Sequence, residues 1–254
     1  MDARVFLIMP LAFVCEFIDS SLGMGYGTSL TPLLLLMGFE PLQVVPAVLL
    51  SEFVSGVTAA SFHHNLENVN FNRNSMDSKV ATVLSMFAVV GTVVSVVLAL
   101  RLPAAVLKTW IGIIVISMGI IILVTMNRKP KFSWGRISLL GTIASFNKGM
   151  SGGGYGPLVM GGQMLSGIGV KNAVGITSLS EGITCLVGVT FYFFMKSQSG
   201  VEWTLAPWLM AGAVLSVPLA CHTLKRIPER KAKFATAIII VGLGALTLAK
   251  VFLF

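Results

Sequence analysis

Apolar residues along this chain form long blocks that are separated by short polar stretches. An α-helix needs about 20 predominantly apolar residues to cross roughly 30 Å of hydrocarbon. Six blocks are long enough: Leu42 to Phe62, Val80 to Leu100, Ala104 to Met126, Asn172 to Met195, Thr204 to His222 and Phe234 to Phe254. The pattern predicts an all-α polytopic membrane protein with six full transmembrane helices.

Four further apolar blocks are only about half that length. They occur as two pairs, and a glycine cluster interrupts each pair: Val5 to Ile18 with Thr28 to Gly38, and Ile137 to Phe146 with Pro157 to Ser166. Glycine permits backbone conformations that end a helix. We therefore expect two broken pairs of short helices in addition to the six full spans.

Shifting the sequence by 129 positions aligns residues 23–27 (GMGYG) with residues 152–156 (GGGYG). The same shift aligns residues 50–52 (LSE) with residues 179–181 (LSE), and ten of the thirty positions from Gly23 to Glu52 are identical. About three identities are expected for this composition. The chain is therefore duplicated, and the units are 1–126 and 137–254, joined by a basic linker at 127–136. Each unit has one broken short pair followed by three full helices.

The relative orientation of the repeats follows from the loop cations. Residues 127–136 carry four Lys and Arg residues, and residues 223–233 carry five. Both loops should be cytoplasmic by the positive-inside rule. They share a side only if each short pair enters and leaves the membrane on one face, which makes the two repeats inverted. Eight spans with parallel repeats would place the two loops on opposite faces, and we favour inversion.

Composition and charge narrow the class of protein. Charged residues make up 11% of the chain, against about 25% in soluble domains. The net charge of +8 comes mostly from loop cations beside the apolar blocks, so we do not expect nucleic acid as a partner. We find no pattern for a metal site, a cofactor or an enzyme, because a His-Glu-x-x-His pattern and a serine with an adjacent base are both missing from the sequence. We expect His63 and His64, at a span end, to lie at the membrane interface.

The glycine clusters are the candidate substrate site. Non-helical backbone at membrane depth persists only where protein or a water-filled cavity surrounds it. In transporters, the N-termini of broken helices direct N–H groups towards anionic substrates. Close packing of helices is the alternative role for these glycines. We predict that an oxyanion binds among the glycines, tyrosines and neighbouring donors of the two clusters: Ser20, Ser21, Gly23, Gly25, Tyr26, Gly27 and Thr28 in the first, and Asn147, Lys148, Ser151, Gly152, Gly153, Gly154, Tyr155 and Gly156 in the second.

Ionisable residues within the apolar blocks are the second set of candidates. A lysine at the centre of a membrane costs about 2.5–3.5 kcal/mol unless it is paired or faces water, so Lys148 needs compensation. It aligns with Asp19 in the repeat, which suggests either an ion pair between the two or an anion-binding lysine. Glu52 and Glu181 are equivalent to each other within full spans. A buried carboxyl group can load and release a proton, so these glutamates have either a proton-coupling or a structural role.

The duplicated glycine motif, Pro32 or Pro157 after it, and the glutamates within the spans resemble the TauE/SafE family of sulfite exporters, also called toluene-sulfonate uptake permeases. The resemblance covers nearly the whole chain, and it implicates Gly23 to Gly27, Gly152 to Gly156, Glu52 and Glu181. It implies movement of sulfite, sulfonates or related organic anions across a bacterial cytoplasmic membrane. The first cluster has a methionine where the second has a glycine, and Pro157 follows its cluster immediately whereas Pro32 lies five residues beyond Gly27.

These observations predict a proton-coupled secondary transporter for a small anion in the bacterial inner membrane, with its site between the two glycine breaks. The alternative is an ion channel, because GMGYG resembles the potassium-filter sequence. Each chain has two such segments, so a filter of four would require a homodimer. The missing Thr-Val before Gly-Tyr-Gly, together with Lys148 beside the second copy, argues against a cation path.

Overall fold

The computed structural model describes residues 3–125, 133–164, 166–195, 201–224 and 229–253. Within these ranges the chain is helical and contains no strand. The helices are α1 (Ala3–Leu22), α2 (Tyr26–Leu36), α3 (Pro41–Asn65), α4 (Met76–Ala99), α5 (Ala104–Thr125), α6 (Trp134–Ser151), α7 (Tyr155–Met164), α8 (Val170–Met195), α9 (Ala206–Thr223) and α10 (Glu229–Leu253).

The long helices agree closely with the apolar blocks. Five of the six predicted spans, α3, α4, α5, α8 and α9, are long and apolar enough to cross a membrane. The sixth, α10, contributes the shorter apolar stretch Ala237–Phe252. In α4, the exposed side chains of Met86, Val90 and Val94 lie four residues apart and so share one face of the helix. An apolar stripe of this kind suits contact with lipid.

The glycine clusters separate a longer helix from a shorter one in both pairs. The prediction of half-length helices is wrong for the first member of each pair, because α1 has 20 residues and α6 has 18. At 1.5 Å per residue, α1 is about 30 Å long. Both helices continue through polar residues that end the apolar pattern without ending the helix. These polar side chains face the interior, as Asp19 and Lys148 do.

The short second helix of each pair is nearly enclosed by protein. Nine of the 11 residues of α2 are buried, as are nine of the 10 residues of α7. A Cβ atom at Gly162 in α7 would lie 2.4 Å from the side chain of Leu140 in α6. Because the break lies midway between these two residues, α7 runs back alongside α6 as a hairpin.

Equivalent helices of the two repeats make equivalent contacts. The first helix of each broken pair packs against the fourth helix of the other unit, α1 against α9 and α6 against α4. The helices α3 and α8, which are equivalent to each other, also pack together, as do α5 and α10. The two halves therefore interleave and share one interior.

The predicted linker, 127–136, lies mostly outside the described residues. Its last three residues already belong to α6, which begins at Trp134 with Ser133 as its N-cap. The Ser133 hydroxyl accepts a hydrogen bond from the backbone N–H of Arg136, which satisfies a donor in the first turn of the helix.

Candidate functional site

Both glycine clusters have positive φ values at two equivalent positions. Gly23 and its equivalent Gly152 have φ values of 70° and 72°, and Gly25 and its equivalent Gly154 have φ values of 136° and 81°. Positive φ values cost glycine little and strain other residues. Two such residues with one residue between them end the first helix and begin the second. The duplicated motif therefore encodes one type of chain reversal, used twice.

The two breaks cross each other in direct contact. A Cβ atom at Gly27 would lie 1.7 Å from the carbonyl oxygen of Gly152, and one at Gly156 would lie 2.7 Å from the carbonyl oxygen of Gly23. The two contacts are equivalent, because Gly27 aligns with Gly156 and Gly152 aligns with Gly23 in the repeat. The backbone N–H of Gly154 also donates to the Thr28 hydroxyl at 3.0 Å. The motif is glycine-rich because backbone passes against backbone at this crossing.

Lys148 lies at the crossing with no exposure to solvent. Its ammonium group forms ion pairs with the carboxylates of Glu52 in α3 and Glu181 in α8, and the nitrogen to oxygen distance to Glu181 is 2.7 Å. Glu52 and Glu181 are equivalent to each other in the repeat, so one lysine bridges a symmetric pair of carboxylates. Lys148 also contacts the first break, because its Nζ atom lies 3.1 Å from the position of a Cβ atom at Gly27.

Asp19 completes the cluster but is not an ion-pair partner of Lys148 among the described residues. Its carboxylate accepts a hydrogen bond from the backbone N–H of Tyr26, the first residue of α2, at 3.3 Å. One carboxylate oxygen from each of Asp19, Glu52 and Glu181 lies within 4.8 Å of the others. The ion pair suggested between Asp19 and Lys148 is therefore replaced by a pair of glutamates around the lysine, with Asp19 beside them.

Each bridging glutamate keeps one oxygen without a hydrogen bond in the described part of the chain. These atoms are Glu52 Oε1 and Glu181 Oε2, and both are buried. A carboxylate oxygen accepts hydrogen bonds but cannot donate one until it carries a proton. The cluster formally holds three negative charges and one positive charge, which is a costly arrangement in a dry interior. Proton uptake would lower this cost.

The predicted hydroxyl and amide groups surround the crossing. The Tyr26 hydroxyl is 2.6 Å from the Ser51 hydroxyl, next to Glu52 in sequence. Ser151 bonds with its hydroxyl to the carbonyl of Asn147 at 2.7 Å, and it accepts from the backbone N–H of Gly153 at 3.2 Å. Ser21 donates to the carbonyl of Phe17. These contacts hold the ends of the broken helices. The remaining predicted residues are also buried here: Ser20, Asn147 and Tyr155.

Two buried titratable residues near the site were not anticipated. Glu16, one turn before Asp19 in α1, is 1% exposed. His63, which we expected near the membrane interface, has no exposure and is enclosed by protein. A sequence signal existed for His63, because it lies 129 positions before Tyr192 and so occupies an equivalent place in the repeat. Glu16 aligns with Ser145, and the duplication gave no signal for it.

Buried charges at two crossed helix breaks, enclosed by helices long enough to span a bilayer, are typical of membrane transporters. The chain belongs to the sulfite exporter TauE/SafE family, whose model matches residues 8–247. It is 26% identical over 227 residues to the probable membrane transporter protein YtnM of Bacillus subtilis (strain 168), a match that covers 85% of this chain and 73% of that protein. No solved structure matches the chain. The protein is therefore a membrane transporter.

Proposed function

We propose that this protein is a proton-coupled secondary transporter of a small anion, such as sulfite or an organosulfonate, in the bacterial cytoplasmic membrane. The observation that carries the proposal is the buried Lys148 held between Glu52 and Glu181 at the crossing of two helix breaks. A lysine in this position is the natural anchor for an anion. The two glutamates determine when that anchor is free.

Proton coupling follows from competition for one ammonium group. While Glu52 and Glu181 are ionised, they occupy Lys148 and their charges repel an approaching anion. Protonation of the glutamates removes both obstacles, because a neutral carboxyl group binds an ammonium group weakly. The anion then takes the place of the carboxylates as counter-ion. Under this scheme anion and protons bind together and leave together, so a proton gradient drives the anion.

The second break is the better half of the site for an anion. At the first break, the carboxylate of Asp19 already bonds to the first N–H group of α2. At the second break, Lys148 occupies the equivalent position in the sequence, so this break has a cation four residues before it instead of an acid. Helix N-termini and ammonium groups both attract oxyanions. We infer that the anion binds beside the Lys148 ammonium group, at the crossing of the two breaks.

The exchange of equivalent contacts between the halves supports an inverted repeat. The packing of α1 on α9 and α6 on α4, with the reciprocal approaches of Gly27 to Gly152 and Gly156 to Gly23, fits a two-fold relation between the units. With a hairpin and three full helices in each unit, the second copy has the opposite orientation to the first. Alternating access would then arise from rocking of one unit against the other around the central site.

The channel alternative has less support. A potassium filter needs backbone carbonyls that face a pore. Tyr26 and Gly27 open α2, and Tyr155 and Gly156 open α7, so their carbonyls lie within helical turns. Both tyrosine side chains are buried in protein. A cation site formed by the three carboxylates is also less favourable, because the Lys148 ammonium already provides their positive partner.

The proposal is tested with purified protein in a thermal-shift screen against sulfite, sulfate, thiosulfate, sulfoacetate, taurine and simple carboxylates. A ligand present at 100 times its Kd stabilises the folded state by about 2.7 kcal/mol. We expect a selective shift with one sulfur oxyanion or sulfonate that grows as the pH falls. Uptake of that anion into proteoliposomes should then follow an imposed pH gradient. Potassium flux without anion movement would overturn the proposal in favour of a channel.

A further inference from the structure

Thr31 is a buried threonine in α2 whose hydroxyl group has no hydrogen-bond partner in the described part of the chain. Its side chain is enclosed by protein and has no exposure to solvent. A hydroxyl group that is buried without a partner destabilises the folded protein, because it has lost its hydrogen bonds to water. A buried group of this kind calls for a partner from outside the folded chain.

Other threonines in the helices avoid this cost. Their hydroxyl groups donate to the backbone carbonyl four residues earlier in the same helix, as in Thr58, Thr82, Thr109, Thr142, Thr184, Thr190 and Thr247. The corresponding acceptor for Thr31 is the carbonyl of Gly27, one turn before it in α2. The Thr31 hydroxyl does not make this bond, so its hydrogen remains available to another acceptor.

The Thr31 hydroxyl lies at the crossing of the two breaks. A Cβ atom at Gly152 would lie 2.8 Å from the hydroxyl oxygen. On the same face of α2, one turn before Thr31, a Cβ atom at Gly27 would lie 3.1 Å from the Nζ atom of Lys148. Cβ positions one helical turn apart are separated by about 5–6 Å. The ammonium group and the unpaired hydroxyl therefore lie along one face of α2, within reach of a single small anion.

The equivalent contact in the other half of the crossing has no hydroxyl group. The repeat aligns Thr31 with Met160 and Gly152 with Gly23. A Cβ atom at Gly23 would lie 2.7 Å from the sulfur of Met160, so the two side chains fill equivalent places against the two breaks. A thioether sulfur is a weak acceptor and has no hydrogen to donate. Packing at the crossing therefore does not require a hydroxyl group at this position.

Both unmatched donors lie at the same contact, where α2 packs against the second break. This contact has the ammonium group of Lys148 and the hydroxyl group of Thr31. The residues that align with them are Asp19 and Met160. An ionised carboxyl group and a thioether have no hydrogen to donate to an anion. The contact between α2 and the second break is therefore the half of the crossing that suits an oxyanion.

We propose that the Thr31 hydroxyl donates a hydrogen bond to the transported anion, while Lys148 provides the opposite charge. This inference rests on the proposed function, because it assigns a second contact to the same anion site. The hydroxyl gains its missing partner when the anion binds. The anion gains a donor on a short, β-branched side chain with few rotamers, in addition to an ammonium group on a flexible stem. Thr31 is thus a residue that determines affinity for the anion.

The test removes the hydroxyl group and keeps the branched shape of the side chain. Thr31→Val is compared with Thr31→Ser, which keeps a hydroxyl group, and with two controls. Thr247→Val removes a buried hydroxyl that donates to the Leu243 carbonyl in α10, and Met160→Leu changes the equivalent position in the second repeat. Each purified protein is titrated separately with sulfite, thiosulfate and sulfoacetate. Thermal unfolding is recorded in the absence of these anions.

We expect Thr31→Val to weaken anion binding by about tenfold, since a hydrogen bond to a charged group is stronger than one between neutral groups. Without anion, the same variant should unfold at a temperature higher by roughly 2 °C, because it no longer buries an unpaired hydroxyl. A threonine with a structural role would instead lower the unfolding temperature and leave affinity unchanged. Thr31→Ser and both controls should bind the anion as the wild-type protein does.

Wild-type affinity in Thr31→Val, with binding intact in the wild-type protein, would overturn the contact and leave the proposed function standing. An equal loss of affinity in Thr31→Ser would do the same, because the effect would then come from shape and not from the hydroxyl. Thr31→Ala is the second variant without a hydroxyl, and failure of both to fold would give Thr31 a structural role. If wild-type protein binds none of the anions, the proposed function is overturned, and the Thr31 contact with it.

Discussion

Four residues before the break between α1 and α2 the chain has Asp19, whereas four residues before the break between α6 and α7 it has Lys148. The backbones of the two breaks are similar, with positive φ values at both equivalent pairs of glycines. Asp19 turns to its own break and bonds to the start of α2. Lys148 reaches outward to the equivalent glutamates of α3 and α8.

This difference separates the features that the two repeats share from those that only one of them has. The repeated positions build the crossing of the two breaks and the pair of glutamates that bind Lys148. The unmatched positions provide the cation Lys148, the acids Asp19 and Glu16, and the buried His63. In a fully symmetric site, the two breaks would carry the same charged residues. The chemistry of this protein therefore lies mainly where its two halves disagree.

The largest effect is expected from Lys148→Met, which removes the unmatched cation. Hydrogen bonds to charged groups contribute about 1.5–3 kcal/mol, so anion binding should weaken by roughly tenfold to a hundredfold. The two glutamates would lose their shared partner, and breaking a buried pair in this way costs about 3–5 kcal/mol when the remaining charge stays ionised. Binding is measured by titration of purified protein with the anion identified in the thermal-shift screen.

Lys108→Met is the control for Lys148→Met, since it removes a lysine from a partly exposed ion pair with Glu40. It should bind the anion as the wild-type protein does. Wild-type affinity in a folded Lys148→Met variant would remove Lys148 from the site and leave it a structural role.

The second effect concerns the crossing itself, where the halves agree. A methyl group at Gly27 would lie 1.7 Å from the Gly152 carbonyl oxygen, and one at Gly156 would lie 2.7 Å from that of Gly23. Overpacking typically costs about 1–3 kcal/mol, and rigid backbone should place Gly27→Ala at the upper end or beyond. Thermal unfolding in detergent should therefore show a lower midpoint for both variants, and the larger decrease for Gly27→Ala.

Gly242→Ala is the matched control for these alanine variants, because nothing lies within 4 Å of a Cβ atom at that position in α10. Alanine is favoured over glycine in helices by up to about 1 kcal/mol, so this variant should unfold at the same temperature or slightly higher. If Gly27→Ala also unfolds at the wild-type temperature, the close crossing of the breaks is wrong.

The third effect compares the two equivalent glutamates. Glu52→Gln and Glu181→Gln each leave Lys148 with one carboxylate and remove one site for a proton. Anion binding should persist in each, with a weaker dependence on pH than in wild-type protein. In the double variant, anion affinity should depend very little on pH. We would compare affinities between about pH 5 and pH 8, because native proteins are usually most stable in that range. Unchanged pH dependence in all three would give both glutamates a structural role.

The smallest effect is expected at the surface. Lys108 and Glu40 form an ion pair at 3.0 Å, with 30% and 53% of their side chains exposed. Pairs of this kind contribute about 0–1 kcal/mol and weaken with added salt. Lys108→Ala should therefore shift the unfolding midpoint only slightly, and 1 M salt should abolish the difference. A large decrease that persists in high salt would indicate a role for Lys108 beyond this pair.

Sequence periodicity and duplication predicted most of the helices and both helix breaks, since hydropathy and glycine positions can be read directly along the chain. They predicted the six long helices, the two breaks and the set of buried residues at the breaks. They failed on the lengths of α1 and α6, because hydropathy marks the end of an apolar run and a helix can continue with polar side chains turned inward. They also failed on the partner of Lys148, because contact between Lys148 and the glutamates depends on how three helices pack.

Glu16 and His63 illustrate a second limit of prediction from sequence. A carboxyl group in an apolar block and a histidine near a span end are compatible with several surroundings. Both side chains contact Ser20, and this connection depends on how far α3 extends beyond its apolar residues and on the loop that brings Asn68 back to His63. These contacts belong to the tertiary structure, so the sequence alone did not predict them. The comparison between His63 and Tyr192 was available from the duplication alone.

The close crossing of Gly27 over Gly152 has a consequence for movement. Two backbone segments without side chains between them cannot be wedged apart by a rotamer change, yet they can turn against each other with little steric cost. In the proposed rocking movement the crossing would therefore be the pivot, and the largest displacements would occur far from it, at the outer ends of the helices. Bulk added at those ends should limit access while the central charges stay in place.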